Sequence, residues 1–177
     1  VIKDAFTKQI LSYKISLSLE EDFVLETIHS LIENHKDDIH CDALIHSDQG
    51  VHYTCLLFID LLKDKGIRQS MSRRGNCWDN ASQESFFGHF KDECKYQNCS
   101  TLEEVTQKVI TYIDYYNNER PQWTRNKMTP NEFEKYLLQM NDEEFINYLS
   151  IERTKYEKMR QVAIEKAKNR AKDIGVL

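Results

Sequence analysis

The chain has 177 residues and a mass of 21.0 kDa, with 40% hydrophobic residues, 30% charged residues and a net charge of −5. This length suits one domain with a short appendage, and the composition excludes a disordered chain. The acidic balance excludes binding of polyanions through bulk charge alone, and the longest apolar run, Leu56 to Ile59, is too short to span a bilayer.

The first part of the chain alternates between strand-like and helix-like segments. Ser18 and Glu21 have the spacing of a capping box ahead of a helix with an apolar face, and Gly66 is expected to end a leucine-rich helix. The predicted elements are a strand over 9–18, a helix over 19–35, a buried strand over 43–46, a well-buried helix over 51–65 and a strand over 67–71. This order predicts an α/β fold with parallel neighbouring strands.

The rest of the chain is predicted to be helical after a polar loop at 72–77. Helices are expected from about 79 to 96, from a capping box at 100–103 onward, and from Pro130 to Gln139. The charged segment 141–177 is also predicted to be helical, and it has eight Lys or Arg and four Asp or Glu between Ile151 and Asp173. We interpret it as a solvated helix, with contact to DNA or another subunit as the alternative. We therefore divide the chain into a domain over 1–140 and a tail over 141–177.

Two carboxylates stand at positions that suit metal-dependent chemistry. Asp48 follows a predicted strand, and Glu84 lies 36 residues later on a predicted helix, with Lys91 on the same helical face. Taken singly, Asp48 suits a type I turn and Glu84 an ordinary charged helix face. Taken together, they can share Mg²⁺ or Mn²⁺ ions that serve phosphoryl transfer, with the lysine holding a phosphate.

Several ordered blocks surround these residues. They are HSDQG at 46–50 followed by Tyr53, SRRGNCWDNA at 72–81, ESFF at 84–87, Lys91, YYNNERP at 115–121 and MTPNEF at 128–133. This series resembles the catalytic core of bacterial insertion-sequence transposases of the "IS-three" group, within the DDE transposase and retroviral integrase superfamily. The resemblance covers roughly residues 1 to 138.

The resemblance implies a ribonuclease H-like fold, with a mixed sheet flanked by helices and a helical C-terminal extension. It implies Mg²⁺-dependent or Mn²⁺-dependent cleavage and strand transfer on double-stranded DNA at transposon ends and target, by an oligomeric protein of the bacterial nucleoid. Asp48 and Glu84 would be the second and third metal-binding acids, and Lys91 would contact DNA. Arg73, Arg74 and Asn76 match a loop near the scissile phosphate, which we expect Trp78 to anchor on the core.

The resemblance also leads us to expect an incomplete site. The family's first catalytic aspartate lies on a strand that precedes the segment matched by Val1–Asp4, and Asp4 matches a non-catalytic aspartate of the family. We therefore expect an N-terminally truncated core that is inactive by itself. The alternative is a non-catalytic protein that binds DNA or full-length transposase as a regulator or relic, and a ribonuclease H-like nuclease is a third, weaker interpretation.

Overall fold

The computed structural model describes residues 1–18, 20–74 and 77–173, without the side chains of residues 77, 167, 168 and 170–173. Short 3-10 turns precede α4, α5 and α6, at Cys77–Asn80, Tyr96–Asn98 and Trp123–Arg125. The strands and helices are β1 (Ile2–Lys3), β2 (Ile10–Ser12), α1 (Asp22–His35), β3 (Leu44–Ser47), α2 (Val51–Thr54), α3 (Leu56–Asp64), β4 (Arg68–Met71), α4 (Ala81–Cys94), α5 (Leu102–Asn118), α6 (Pro130–Leu138) and α7 (Asp142–Asp173).

The strands pair in two orientations. β1 and β2 form an antiparallel hairpin, whose turn is held by Asp4: its Oδ1 accepts hydrogen bonds from the backbone N–H groups of Phe6 and Thr7. β3 and β4 are parallel, in register from Leu44 opposite Arg68 to Ser47 opposite Met71. The predicted parallel arrangement of these two strands is therefore confirmed, and the described strands form two separate two-stranded sheets, one antiparallel and one parallel.

Two apolar clusters fix the helices. One joins α1 and α3 through Val24, Ile28, Phe58 and Leu62, and includes Ile67, which lies directly before β4. The other joins β2, α4 and α5 through buried side chains, which are Ile10, Phe86, Cys94, Tyr112, Ile113 and Tyr116. The second cluster holds the helix that carries Glu84 and Lys91. Tyr112 and Tyr116 are buried in this cluster, so both tyrosines serve helix packing.

Two expectations about burial are wrong. The helix predicted over 51–65 is split at Cys55, whose backbone is extended, into α2 and α3. Only one face of α3 is buried: Phe58 is 1% exposed and Leu56 is 75% exposed. β3 is not a buried strand either, because Leu44 is 51% exposed and β4 is its partner among the described strands. Runs of apolar residues in the sequence therefore predicted more burial of these two elements than the structure has.

The predicted helix starts agree with the structure to different degrees. Thr129 and Glu132 form the full reciprocal capping box, with hydrogen bonds of 3.2 Å and 2.9 Å. In α5 the cap lies one residue later than predicted, because Thr101 rather than Ser100 accepts from the Glu104 N–H. The capping box at Ser18 is wrong: its hydroxyl accepts from the N–H of Glu20, which makes a local turn, and α1 begins at Asp22.

The chain divides into two compact units, Val1–Phe133 and Glu134–Leu177. The second contains α7, which begins at a capping box between Asn141 and Glu144 that sequence reasoning missed. Exposed ion pairs such as Arg153 with Glu157 run along α7. The domain boundary at residue 140 stays a prediction. Within the described part of the chain, no helix combines the length and the apolar character needed to cross a membrane.

Candidate active site

Asp48 lies directly beyond the end of β3 and is exposed. Its Oδ1 accepts a hydrogen bond of 2.9 Å from the backbone N–H of Gly50, which fixes the orientation of the carboxylate. A Cβ atom on Gly50 would lie 2.9 Å from the same oxygen, closer than such atoms approach in real proteins. Glycine at position 50 therefore lets the carboxylate lie against the backbone, and a larger residue there would have to displace the Asp48 side chain.

Side chains from both parallel strands surround this end of β3. The His46 ring bridges two hydroxyls, with Nδ1 at 2.9 Å from Ser70 Oγ and Nε2 at 3.1 Å from Ser72 Oγ. The Gln49 amide donates to the carbonyl oxygen of Ser72 at 3.0 Å. These contacts tie the segment that holds Asp48 to the segment after β4. Sequence reasoning missed His46 and Gln49, although both lie in the HSDQG block.

The loop after β4 is closed by an ion pair. The Arg73 guanidinium donates to both carboxylate oxygens of Asp79, at 3.0 Å and 2.9 Å, and the Arg73 backbone N–H donates as well. These hydrogen bonds, above all those from the guanidinium, lower the pKa of Asp79 to about 2. Proximity of His46 acts in the same direction, so the loop lies against the end of β3.

The predicted loop residues have different surroundings. Arg73 is engaged by Asp79, and Arg74 is exposed. Asn76 lies outside the described residues. Trp78 is 84% exposed, so the prediction that it anchors the loop on the core is wrong, and Asp79 ties down the loop instead. The signal for this pair was the six-residue spacing of opposite charges across a glycine-containing loop.

Glu84 and Lys91 lie on α4 and are both exposed. Seven residues are two helical turns, so the two side chains share a face, as predicted. Gly88 lies between them, and a Cβ atom there would meet nothing within 4 Å. Phe86 is buried on another face against Tyr116, at a ring separation of 5.1 Å. The structure thus holds α4 through its aromatic face and leaves the Glu84 face open.

A half-buried ion pair fixes the far end of α4. Arg120, from the YYNNERP block, donates two hydrogen bonds of 2.8 Å and 2.7 Å to the carboxylate of Glu93. The Tyr112 hydroxyl donates to the same carboxylate at 3.2 Å. The guanidinium is the main reason that the pKa of Glu93 is lowered, and burial raises the pKa of Tyr112. Arg120 therefore joins the end of α5 to the helix that carries Glu84.

The two predicted acids suit a hard divalent cation by their chemistry. Both offer exposed carboxylate oxygens, and Mg²⁺ is commonly bound by one or two carboxylates with water completing the shell. The Gly50 N–H additionally orients one of them, as an outer-shell group does in metal sites. Among the residues that the structure describes, one group has three potential metal-ligand atoms within 4.8 Å of one another. It consists of His40, Cys41 and Asp42, and includes neither Asp48 nor Glu84.

Comparison with known proteins identifies the family. Two family profiles, both described as "Integrase core domain", match residues 1–77 and 65–130. A putative transposase for insertion sequence element IS150 of Escherichia coli K12 is 38% identical over 133 residues, which are 73% of this chain and 46% of that protein. The chain belongs to the integrase core family. An uncharacterized transposase-like protein of Haemophilus influenzae is 35% identical, over 73% of this chain and 59% of its own length.

Solved structures of integrases share the fold. The catalytic core domain of BIV integrase superposes with a TM-score of 0.51 at 23% identity, over 81% of this chain and 80% of that one. The simian T-cell lymphotropic virus intasome gives a TM-score of 0.59 at 15% identity, over 74% of this chain and 45% of that one. The integrase core described above is therefore ribonuclease H-like, as expected. The chain spans about half the length of the curated transposases it matches, at 46% and 59%.

Proposed function

We propose that the chain is part of the catalytic region of a transposase that cuts and joins DNA at insertion-sequence ends by DDE chemistry. The observation that carries the proposal is the oriented carboxylate of Asp48 at the carboxyl end of β3, in an integrase core related to transposases. In open α/β sheets this end of the strands is where active sites form. Glu84 supplies a second acid from the first turn of α4.

The family generally uses divalent metal ions, and we assign Mg²⁺ or Mn²⁺ to Asp48 and Glu84. Such ions, when bound, activate a water or 3′-hydroxyl nucleophile and stabilise the leaving oxygen. The chain's own residues do the positioning: the Gly50 N–H holds Asp48 Oδ1, and the Glu93–Arg120 pair holds α4. Lys91, two turns beyond Glu84, binds a phosphate of the DNA backbone.

The partner that this function requires is double-stranded DNA, at the transposon ends and at the target. One structural neighbour is a viral intasome in complex with a regulatory subunit of PP2A, and we propose an oligomer for the full-length transposase. Arg74 is an exposed cation on the loop beside Asp48, so it is available to DNA. Arg73 acts through Asp79, because its guanidinium already binds that carboxylate and so shapes the loop.

Isosteric removal of each acid tests the assignment. Asp48→Asn and Glu84→Gln should each weaken Mn²⁺ binding to this chain, followed by electron paramagnetic resonance, and, made in the full-length transposase, should each abolish cleavage and joining of labelled insertion-sequence ends. The matched controls are Asp60→Asn and Glu103→Gln, which make the same changes at exposed carboxylates on α3 and α5. Mn²⁺ binding and DNA cleavage that survive Asp48→Asn or Glu84→Gln would refute the assignment.

A second candidate function is a non-catalytic regulator that binds DNA or a full-length transposase. The observation that favours it is that, within the described residues, no third metal-ligating side chain joins Asp48 or Glu84 in a cluster. An experiment in which the chain is mixed with a full-length relative distinguishes the two functions. A regulator should lower the strand-transfer rate of a full-length relative in proportion to the amount of chain added, and Asp48→Asn should leave that inhibition unchanged.

A further inference from the structure

Three cationic side chains meet beside the first turn of α4. Lys3 Nζ donates to the carbonyl oxygen of Ser82, and Lys8 Nζ lies 3.3 Å from the hydroxyl of the same serine. Arg125 is close enough to Lys8 to lower its pKa by charge repulsion. The β1–β2 hairpin and the loop before α6 thus place Lys3, Lys8 and Arg125 together, and we name these three residues the cation cluster.

Arg125 is fixed in this cluster. Its Nε donates to the carbonyl oxygen of Phe6 at 2.7 Å. Its guanidinium carbon lies 5.4 Å from the Phe6 ring centre and 5.3 Å from that of Phe133, which is fully buried. A guanidinium held over two aromatic rings loses little additional side-chain entropy when it binds an anion.

The cluster carries more positive charge than its surroundings neutralise. Burial, and then the charge of Lys8, lowers the pKa of Lys3 to about 8. Burial and Arg125 lower the pKa of Lys8, and Asp4 is the carboxylate that opposes them. Asp4 Oδ1 already accepts three hydrogen bonds within the hairpin turn. An anion beside these cations would relieve their mutual repulsion, in a protein that is acidic overall.

An exposed aromatic residue lies on the same loop as Arg125. Trp123 is 82% exposed, and Lys127 Nζ lies 5.1 Å from the centre of its ring. Lys127 therefore adds a further cation to the surface on this loop, and cations next to one another suit the successive phosphates of a DNA backbone. The N-terminus of α4, which is the positive end of the helix dipole, lies beside the cation cluster, and the Asn80 side chain does not cap it.

We propose that Lys3, Lys8 and Arg125 bind neighbouring phosphates of the DNA backbone where the duplex passes the first turn of α4, two residues before Glu84. The inference rests on the proposed function, because it names how DNA would be held beside the candidate active site. The cluster recognises a phosphate group, and DNA is the source because Trp123 and Lys127 extend the same surface beyond a single anion.

The test is the salt dependence of DNA binding by the full chain. Binding of a fluorescein-labelled 20-base-pair duplex is followed by anisotropy between 50 and 200 mM KCl. Loss of two phosphate contacts in Lys3→Gln/Lys8→Gln should lower the slope of log K against log salt by about 1.8 and weaken binding by more than about tenfold. Lys3→Arg/Lys8→Arg, which keeps the charges, should retain the wild-type slope. The matched control, Lys36→Gln/Lys65→Gln, removes two exposed charges at the ends of α1 and α3.

Each outcome decides the inference. A wild-type slope in Lys3→Gln/Lys8→Gln overturns it, as does an equal loss in the Lys36→Gln/Lys65→Gln control, which would indicate bulk charge. If the double variant does not fold by circular dichroism, Lys8→Gln alone must lower the slope by about 0.9. If inorganic phosphate raises the melting temperature of wild type but not of Lys8→Gln while both bind DNA equally, the site takes free phosphate and the inference is wrong. Failure of the wild-type chain to bind any duplex at 50 mM KCl contradicts the proposed function itself.

Discussion

The ion pair between Arg120 and Glu93 joins the end of α5 to α4, and its removal should destabilise the fold measurably. Two short charge-assisted hydrogen bonds join the groups, which are 15% and 32% exposed. Hydrogen bonds to charged groups contribute about 1.5–3 kcal/mol each, and the partial exposure of Glu93 places this pair near the lower limit. The guanidinium also lies over the Tyr116 ring at 5.9 Å, which adds about 0.5–1 kcal/mol. We expect Arg120→Ala to lower the free energy of unfolding by about 2–3 kcal/mol.

A double-mutant cycle separates the pair from its neighbours. Urea unfolding of the single and double variants Arg120→Ala and Glu93→Ala is followed by near-ultraviolet circular dichroism, which reports on the buried tyrosines of α5. The coupling energy should be about 1.5–2 kcal/mol, whereas the exposed pair Arg153–Glu157 on α7 should give less than about 0.5 kcal/mol. A coupling energy for Arg120 and Glu93 as small as that of the α7 pair would refute the reasoning.

Three further variants test single contacts. Gly50→Ala should change the free energy of unfolding by less than about 0.5 kcal/mol, because the backbone φ of −60° suits alanine. The added methyl group should displace the Asp48 carboxylate from the Gly50 N–H and weaken Mn²⁺ binding about tenfold. Unchanged Mn²⁺ affinity would contradict the proposal that this N–H orients Asp48. Gly88→Ala should stabilise the chain by about 0.5–1 kcal/mol, since it adds a methyl group in open space within α4, and destabilisation in urea would show that this space is filled. The pKa of the Asp79 carboxylate is lowered from 3.8 to about 2, because Arg73 binds its charged form. The wild type should therefore lose stability relative to Asp79→Asn as the pH falls from about 4 to about 2. If the unfolding free energies of the two proteins change in parallel with pH, the ion pair does not stabilise the fold.

Local signals in the sequence predicted the elements that depend on local chemistry. Thr129, Pro130 and Glu132 specify a helix start by themselves, and the structure contains the reciprocal hydrogen bonds that this motif requires. The same spacing at Ser18 and Glu21 did not produce a cap, because a competing hydrogen bond to Glu20 satisfies the hydroxyl within a turn. A capping motif therefore predicts which hydrogen bonds are available, and the tertiary path of the chain selects among them.

The candidate site was predictable in part. Asp48, Glu84 and Lys91 were identified by the order and spacing of the surrounding blocks, which depend on family resemblance rather than on periodicity. The contacts that orient these residues come from other parts of the chain. His46 forms hydrogen bonds with Ser70 and Ser72 across the strand pair, and Arg120 binds Glu93, which lies 27 residues earlier in the sequence. Pairings between distant segments leave no periodic trace in a single sequence, so sequence reasoning could not find them.

Both tryptophans of this chain are surface residues, Trp78 at 84% and Trp123 at 82% exposure. Their emission in the folded protein should therefore lie close to that of indole in water, and denaturant should shift it little. One tryptophan lies at the loop closed by Arg73 and Asp79, and the other lies on the loop that carries Arg125. The intrinsic fluorescence of this protein is consequently a poor reporter of unfolding. It should instead respond to a binding partner that covers either of the two loops, without any attached label.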